Sequence, residues 1–237
     1  MATTITGTTI DVGPNKLVAN SAGNVGIGTS SPTRKLTVYD TDAYLALQNP
    51  TTGSAAGDGF QLQLVGNDVY HANYEAGSQI FTTSGSERMR INSAGIVTKP
   101  LQPAFLAQPS TTILNIPTGA SGNLNFDAER FDTNSDYSSG TFTAPVTGKY
   151  FLTVNFYFIN LDSAASYYEG LLTTSNRTYY TIVDPDFGQD NVYFCLVLTV
   201  LADMDAGDTA NISVHQGGGS SQTDISASAI FSGYLVA

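Results

Sequence analysis

Three aspartates in one short segment are the carboxylates best placed for sugar hydrolysis. Asp184, Asp186 and Asp190 follow one another closely, and glycoside hydrolysis needs two carboxylates facing each other across a groove. Asp-Pro-Asp segments are more often simple turns. The two histidines, His71 and His215, are far apart in the sequence, and the chain has no nucleophile-elbow, zinc-protease or Cys/His motif. We therefore predict that the protein is not an enzyme and keep sugar depolymerisation as an alternative.

A second group of aspartates is a candidate cation site. Asp203, Asp205 and Asp208 surround a predicted turn, and calcium prefers oxygen ligands of this kind. Solvated turn carboxylates explain the same pattern without an ion. The segment 132–136 begins like an EF-hand loop but lacks its glycine and its later glutamate. Calcium is thus the candidate cofactor, and the Asp203 group is the candidate site.

The stretch 167–191 combines residue types that recognise sugars. Tyrosine rings stack on pyranose faces, while amides, carboxylates and an arginine bind hydroxyl groups. Some of these tyrosines are expected to pack in the core or in a subunit interface instead. The candidate receptor-binding residues are Tyr167, Tyr168, Asn176, Arg177, Tyr179, Tyr180, Asp186, Phe187 and Asp190.

Composition and charge exclude several functions. The 237 residues carry 9 basic and 20 acidic side chains, a net charge of −11, which argues against a nucleic-acid partner. Cys195 is the single cysteine, so no intrachain disulfide forms, and we expect it to be buried as a small apolar residue. The start of the chain lacks the features of a signal peptide, and the longest apolar run is too short for a membrane-spanning helix. We expect synthesis in a cytoplasm and no membrane insertion.

Strand periodicity dominates the chain and predicts an all-β protein. Along 149–158, aromatic and aliphatic residues alternate on both faces, so we expect both faces to be covered, in a sandwich core or between subunits. Residues 163–172 have a helix-like composition, but Gly170 and the paired tyrosines favour a strand. The strands predicted in the C-terminal part are 104–108, 111–116, 123–126, 140–146, 149–158, 166–174, 178–183, 191–202, 209–215 and 225–236.

The centre of this part resembles a known domain family. Phe131-Asp132, Asp136-Tyr137 and the run from Gly140 to Tyr150 are similar to the signature of the C1q-like domain, and Phe231 to Leu235 is a second match. These domains are trimeric jelly rolls of the complement and tumour-necrosis-factor superfamily. The resemblance implies a jelly-roll sandwich over residues 101–237, assembly as a homotrimer, and calcium near the trimer apex.

Residues 20–98 contain short predicted strands, glycine-rich turns and one internal echo. The phrase at 20–25 partly recurs at 92–97, which suggests a stacked, shaft-like module. Gly26 and Gly28 do not form a nucleotide-binding loop, because the third glycine and the following helix are missing. We expect these glycines to leave room for neighbouring backbone. Two prolines at 100 and 103 favour an extended linker after this module.

The same module resembles the shafts of bacteriophage tail fibres. The matching phrases are Asn24-Val25-Gly26-Ile27-Gly28-Thr29 and Glu87-Arg88-Met89-Arg90-Ile91, which here lie at opposite ends of the module. The resemblance implies an attachment arm at 1–19 that binds a tail or baseplate protein, a trimeric shaft and linker at 20–100, and a tip at 101–237. We expect a virion fibre whose tip recognises a host-surface glycan or protein. The alternatives are a head fibre or capsid decoration protein without a dedicated receptor, and a depolymerising tailspike.

Overall fold

The computed structural model describes residues 17–237, so the attachment arm predicted at 1–19 lies almost entirely outside the described residues. The regular elements of the described range are strands, as predicted, and it contains no helix long and apolar enough to cross a membrane. The strands are β1 Leu17–Ala19, β2 Val25–Ile27, β3 Leu36–Val38, β4 Ala43–Leu47, β5 Phe60–Val65, β6 Asp68–Asn73, β7 Gln79–Thr83, β8 Ser86–Ile91, β9 Val97–Thr98, β10 Ala104–Gln108, β11 Gly119–Ala120, β12 Ala128–Asp132, β13 Tyr137–Ser138, β14 Thr141–Thr143, β15 Gly148–Leu161, β16 Tyr167–Thr174, β17 Thr178–Val183, β18 Asn191–Met204, β19 Thr209–Gly217, β20 Asp224–Ile225 and β21 Ile230–Leu235.

The chain forms two compact units, one ending at Thr98 and one running from Lys99 to Ala237. The second unit is a sandwich of two antiparallel sheets. The first sheet has the order β12-β10-β21-β15-β18, with β20 also paired to β15. The second sheet has the order β13-β14-β19-β16-β17, with β11 paired to β19.

Most strands of the sandwich lie where the alternating pattern places them, and the exceptions have physical reasons. Residues 123–126 are not a strand, and 111–116 contribute one isolated bridge, between Ile113 and Ile225. Strand β12 was not predicted, because its charged and exposed residues show no alternation. The segment 225–236 is divided by a turn in which the Ala229 N–H donates to the Ser226 carbonyl at 2.9 Å.

The inward face of β15 is the centre of the sandwich core. Tyr150, Leu152, Val154, Phe156 and Phe158 are completely buried, as their spacing of two predicts. They belong to one core cluster with Tyr168, Leu172, Ile212 and Val214 of the opposite sheet. Residues 167–174 form a strand rather than a helix, which confirms the interpretation based on Gly170 and the paired tyrosines.

The outward face of β15 and β18, which we call the bare face, is apolar and uncovered in a single chain. Tyr193, Val197 and Leu201 are 65%, 56% and 61% exposed. Cys195 lies among them and is exposed, so the expectation of a buried cysteine is wrong for the isolated chain. Asn155 faces Val197 across the ladder, and its Oδ1 atom is buried without a hydrogen-bond partner. Only one of the two aromatic faces is therefore sealed within one chain.

The described part of the N-terminal unit, residues 17–98, forms three small sheets with almost no core. The sheets are β1-β2-β3, β4-β5-β6 and β7-β8-β9. Within residues 17–98, Val18 is the only large apolar side chain that is fully buried. Large apolar residues exposed in the same range are Leu17, Ile27, Leu36, Tyr39, Tyr44, Leu45, Leu47, Leu62, Leu64, Val65, Val69, Tyr70, Tyr74, Ile80, Phe81, Ile96 and Val97. A unit with so little buried apolar surface lacks the main driving force for folding alone.

The phrase that recurs at 20–25 and 92–97 forms the same kind of turn in both places. Asn20 Oδ1 accepts hydrogen bonds from the N–H groups of Ala22 and Asn24 at 3.1 and 3.0 Å. Asn92 Oδ1 does the same for Ala94 and Ile96 at 2.9 and 3.0 Å. The two phrases thus specify the same asparagine-capped turn between antiparallel strands.

The glycine at position 28 has the role expected from the sequence. Its φ is +78°, and a Cβ atom there would collide with the Tyr39 carbonyl oxygen. The Tyr39 N–H donates to the Ile27 carbonyl at 2.9 Å. Glycine therefore permits the close backbone approach that extends the pairing of β2 with β3.

Candidate functional site

The sandwich has two ends with different loops, and the candidate receptor residues are divided between them and one sheet face. At the linker end, the Gln102 side chain and the Pro103 carbonyl bond to the backbone of Leu235 at 2.7 and 3.0 Å. The distal end carries the loops 162–166, 184–190 and 218–223. Antiparallel strands alternate in direction, so residues that are close in sequence are sent to opposite ends.

The linker end joins two groups that the sequence analysis treated separately. Arg177 forms an exposed ion pair with Asp203 at 2.8 Å. The Asn176 amide donates to the Asp203 carbonyl at 2.8 Å and to Asp208 Oδ2 at 3.1 Å. The Asp205 N–H also donates to Asp208 Oδ2, at 2.8 Å. Asn176 and Arg177 therefore hold the turn that contains the proposed calcium ligands.

These contacts give the three aspartates structural partners. Thr147 Oγ1 donates to Asp205 Oδ1 at 3.3 Å, which ties this turn to the start of β15. Across residues 17–237, no three His, Cys, Asp or Glu side chains are grouped so that they could hold a metal ion. Calcium at Asp203, Asp205 and Asp208 stays a prediction from the sequence.

The distal end is a network of carboxylates that ties three loops together. Asp162 Oδ2 accepts from the N–H and the hydroxyl of Ser220 at 2.5 and 2.9 Å, and Oδ1 accepts from the Ala164 N–H at 2.8 Å. The Ser220 N–H contributes most to a pKa of Asp162 below its ordinary value. Asp190 Oδ1 accepts from the N–H and hydroxyl of Ser163 at 2.9 and 2.8 Å. The Ser163 N–H, followed by the side chains of Gln222 and Ser163, favours the charged form of Asp190 and lowers its pKa.

A polar cleft of about 300 Å³ opens beside this network. It is lined by Asn160, Asp190, Asn191, Val192 and Gln222. Gln222 Nε2 donates to Asp190 Oδ2 at 2.8 Å. Ser163 and Gln222, which are far apart in the sequence, thus both hydrogen-bond to the carboxylate of Asp190 in the 184–190 loop.

The candidates Asp186 and Phe187 of the 184–190 loop do not line the cleft that Asp190 lines. The Asp186 N–H donates to Asp184 Oδ1 at 3.2 Å, which is the turn geometry expected of an Asp-Pro-Asp segment. Phe187 is exposed and packs on Phe194, with ring centroids 5.6 Å apart. Asp186 and Phe187 are therefore accessible, whereas Asp184 supports the turn.

The tyrosines of β16 and β17 alternate between the core and the surface. Tyr168 is completely buried, with its hydroxyl 2.6 Å from Thr223 Oγ1, so this candidate is corrected to a core residue. Tyr179 is half-buried and packs against the core. Tyr180 is 65% exposed on the outer face of the second sheet.

Tyr167 lies on the same outer face, and its ring packs edge-to-face with the ring of His215, with centroids 5.4 Å apart. His215 in turn lies 3.3 Å from Glu169.

Replacing Asp162 with asparagine is expected to destabilise the sandwich at neutral pH by about 1–3 kcal/mol, because an amide nitrogen of this buried side chain would face an N–H or O–H donor that now meets a carboxylate oxygen. The folded-state pKa of Asp162 is lowered, so its contribution is present above the ordinary value of 3.8 and is lost as pH falls through the folded pKa. Urea unfolding of both proteins should therefore show a stability difference that shrinks below about pH 4. A difference that is constant down to about pH 2 would contradict this role.

Two of the polar cleft residues, Asn160 and Gln222, were not singled out by sequence reasoning, whereas Asn191 lies within the stretch 167–191. Asn160 lies next to the end of β15, and Gln222 lies in a Gly/Ser-rich loop, where polar residues are ordinary. The positive φ of Asn160, 53°, is unusual for a residue other than glycine but leaves no sequence signal. These residues meet in one cleft only because of the way the strands pair.

The comparisons with known proteins concern the sandwich. The globular domain of a zebrafish complement 1qA protein is 18% identical with a TM-score of 0.42, and the match covers 57% of this chain and 98% of that one. Two crystal structures of murine APRIL are each 8% identical, with TM-scores of 0.42 and 0.43, covering 57% of this chain and 99% of theirs. No curated protein matches the chain. The C1q domain model matches residues 104–236. The predicted C1q-like jelly roll is confirmed, and the chain belongs to the C1q domain family.

Proposed function

We propose that this protein is a homotrimeric bacteriophage fibre whose C1q domain binds a receptor on the host surface. The observation that carries the proposal is the amount of apolar surface that one chain leaves uncovered in both of its units. Such surface is rarely left bare on a soluble monomer. Association of identical chains around one axis would cover it in every copy.

The N-terminal unit supports a shaft made by several chains. One groove of this unit, about 430 Å³, is lined by polar side chains together with the apolar Leu47, Phe60, Ile80 and Phe81. Nothing in the described part of this unit fills the groove. Side chains from neighbouring copies would fill it and give the thin sheets a shared core. The resemblance of the phrases at 24–29 and 87–91 to the shafts of phage fibres supports a place for this unit in a virion.

The bare face supports the same assembly for the sandwich. It presents Tyr193, Val197 and Leu201 beside the half-buried Phe151 and Tyr157. The orphan Oδ1 of Asn155 lies in this face, and a buried acceptor normally has a donor. A donor from another copy would satisfy it. Trimers are the assembly that the C1q family resemblance implies.

A binding role fits the sandwich better than a hydrolytic role. Asp184 accepts a turn hydrogen bond, and Asp190 is engaged by Ser163 and Gln222. Both carboxylates therefore have structural partners. Exposed Tyr180, Phe187 and the distal cleft offer contact surfaces for a receptor, and three copies on one fibre would add avidity.

The oligomeric state is the first test. Light scattering on the purified full chain should give a mass near three times 25.0 kDa at micromolar concentration. A monomer that unfolds cooperatively would overturn the proposal, because its apolar faces would then be stable in water.

Location and activity distinguish the alternatives. Antibodies against this chain should label tail fibres in negative-stain images of virions, whereas labelled capsids would favour the head-fibre alternative. The fluorescent chain should bind host cells. Clear halos on host lawns from purified protein would instead favour the depolymerising spike.

A further inference from the structure

We propose that the distal cleft binds the vicinal hydroxyl groups of a neutral hexopyranose through Asp190, Asn160 and Asn191. This site deepens the proposed function and rests on it, since it supplies the glycan contact of the fibre tip. The cleft lies at the end of the sandwich opposite the linker end, beside the loops 162–166, 184–190 and 218–223.

The first reason is the arrangement of the cleft's polar groups. Asp190 is held by Ser163 and Gln222, so its carboxylate is fixed before any ligand arrives. Oδ2 accepts one protein hydrogen bond, from Gln222, and retains capacity for another. A hydroxyl group that donates to Oδ2 would thus meet an acceptor that needs no reorganisation.

The second reason is that two amides in the cleft have no partner. Among the hydrogen bonds of residues 17–237, none involves the side chain of Asn160 or of Asn191. Each amide offers both donors and an acceptor, as hydroxyl recognition requires. Asn160 lies opposite Val192, between the ladder pairs Ile159–Tyr193 and Leu161–Asn191. Its φ of 53° is one that asparagine tolerates better than most residues.

The third reason concerns size, apolar contact and charge. A cleft of about 300 Å³ admits one sugar ring rather than a long oligomer. Val192 is 59% exposed and offers an apolar wall for the C–H face of a pyranose. The cleft is lined by one carboxylate and no basic residue, and residues 101–237 hold 11 Asp and 2 Glu against 3 basic side chains. An acidic sugar would be repelled, which leaves a neutral one.

The test compares the full-length wild type with an Asn160→Gly/Asn191→Ala double variant on a microarray of neutral hexose, sialylated and uronic-acid oligosaccharides. Glycine keeps the backbone conformation at position 160 while removing the amide. Asn211→Ala is the matched control, since it removes an amide from the outer face of the second sheet. Light scattering and thermal unfolding confirm that all three proteins are assembled and folded.

The wild type should bind neutral hexoses, the double variant should lose affinity by about tenfold or more, and Asn211→Ala should be unchanged. Equal hexose binding by the double variant would show that the cleft is not the sugar site and would leave the proposed function standing. Hexose binding by Tyr180→Ala and Arg177→Ala would then locate the true site. Preference for acidic sugars would also overturn the proposed sugar site. So would calorimetric binding of Ca²⁺ alone that the double variant loses, because the cleft would then be a cation site. If the chain is a trimer and antibodies against it label tail fibres, but it binds no sugar on the array, the proposed sugar site in the cleft is wrong and the proposed function stands.

Discussion

Replacing Val197 with aspartate is expected to convert a trimer of residues 99–237 into monomers that keep their fold. Val197 lies in the middle of the bare face, and its side chain makes no contribution to the core of its own chain. In a trimer, three carboxylates would be buried together without partners, which costs several kcal/mol per charge. Light scattering should show the mass falling to one third of the wild-type fragment, and far-ultraviolet circular dichroism should stay unchanged.

Cys195 provides an independent readout of the same change. It lies on the bare face two residues from Val197 and is exposed in one chain. A thiol reagent should react slowly with the wild-type fragment and rapidly with Val197→Asp. Leu114→Asp is the control, because Leu114 is 65% exposed on a loop between β10 and β11. If Val197→Asp stays trimeric with a protected thiol, the bare face is not the subunit interface.

Replacing Gly170 with alanine is expected to destabilise the sandwich by about 2–3 kcal/mol through overpacking. Gly170 lies in β16, paired with Thr181 on one side and Val214 on the other. A Cβ atom at this position would collide with the ring of Phe156, which is completely buried. The ring stacks near Phe158 and has little room to move. Urea unfolding of residues 99–237 should show a lower midpoint with an unchanged slope.

A double-mutant cycle identifies the cause of this loss. Phe156→Leu alone should destabilise the fragment, because it leaves a cavity in the core. In the Gly170→Ala background the same change should cost less, since leucine frees the space that the new methyl group needs. Additive losses would show that Gly170 is required for a reason other than the Phe156 ring.

Sequence reasoning was most accurate where local chemistry decides the structure. Alternation along 149–158 predicted which side chains of β15 share a face, because side chains on a strand point to opposite faces in turn. The repeated phrases beginning at Asn20 and Asn92 form matching turns in the structure, because each asparagine side chain bonds to its own following backbone. Strand β12 was not predicted, since its charged residues carry no periodic signal and its pairing with β10 is a tertiary contact.

The candidate site was less accessible to sequence reasoning. Tyr168 and Tyr180 have the same side chain, yet one is buried and the other exposed. Asn176 and Arg177 adjoin the tyrosines in sequence, but they lie at the linker end with Asp203. Asp190 lies at the other end, because β17 carries the chain across the sandwich between them.

Residue order alone determined that this chain is all-β, belongs with the C1q domains in its C-terminal part and carries glycine-rich turns in its N-terminal part. These properties follow from patterns within a few residues, where steric preference and hydrogen bonding act locally. Only the tertiary structure decided that one aromatic face is sealed while the other stays bare, and that Asn160, Asp190 and Asn191 share a cleft. Both depend on which strands pair, and pairing joins residues that no local pattern relates.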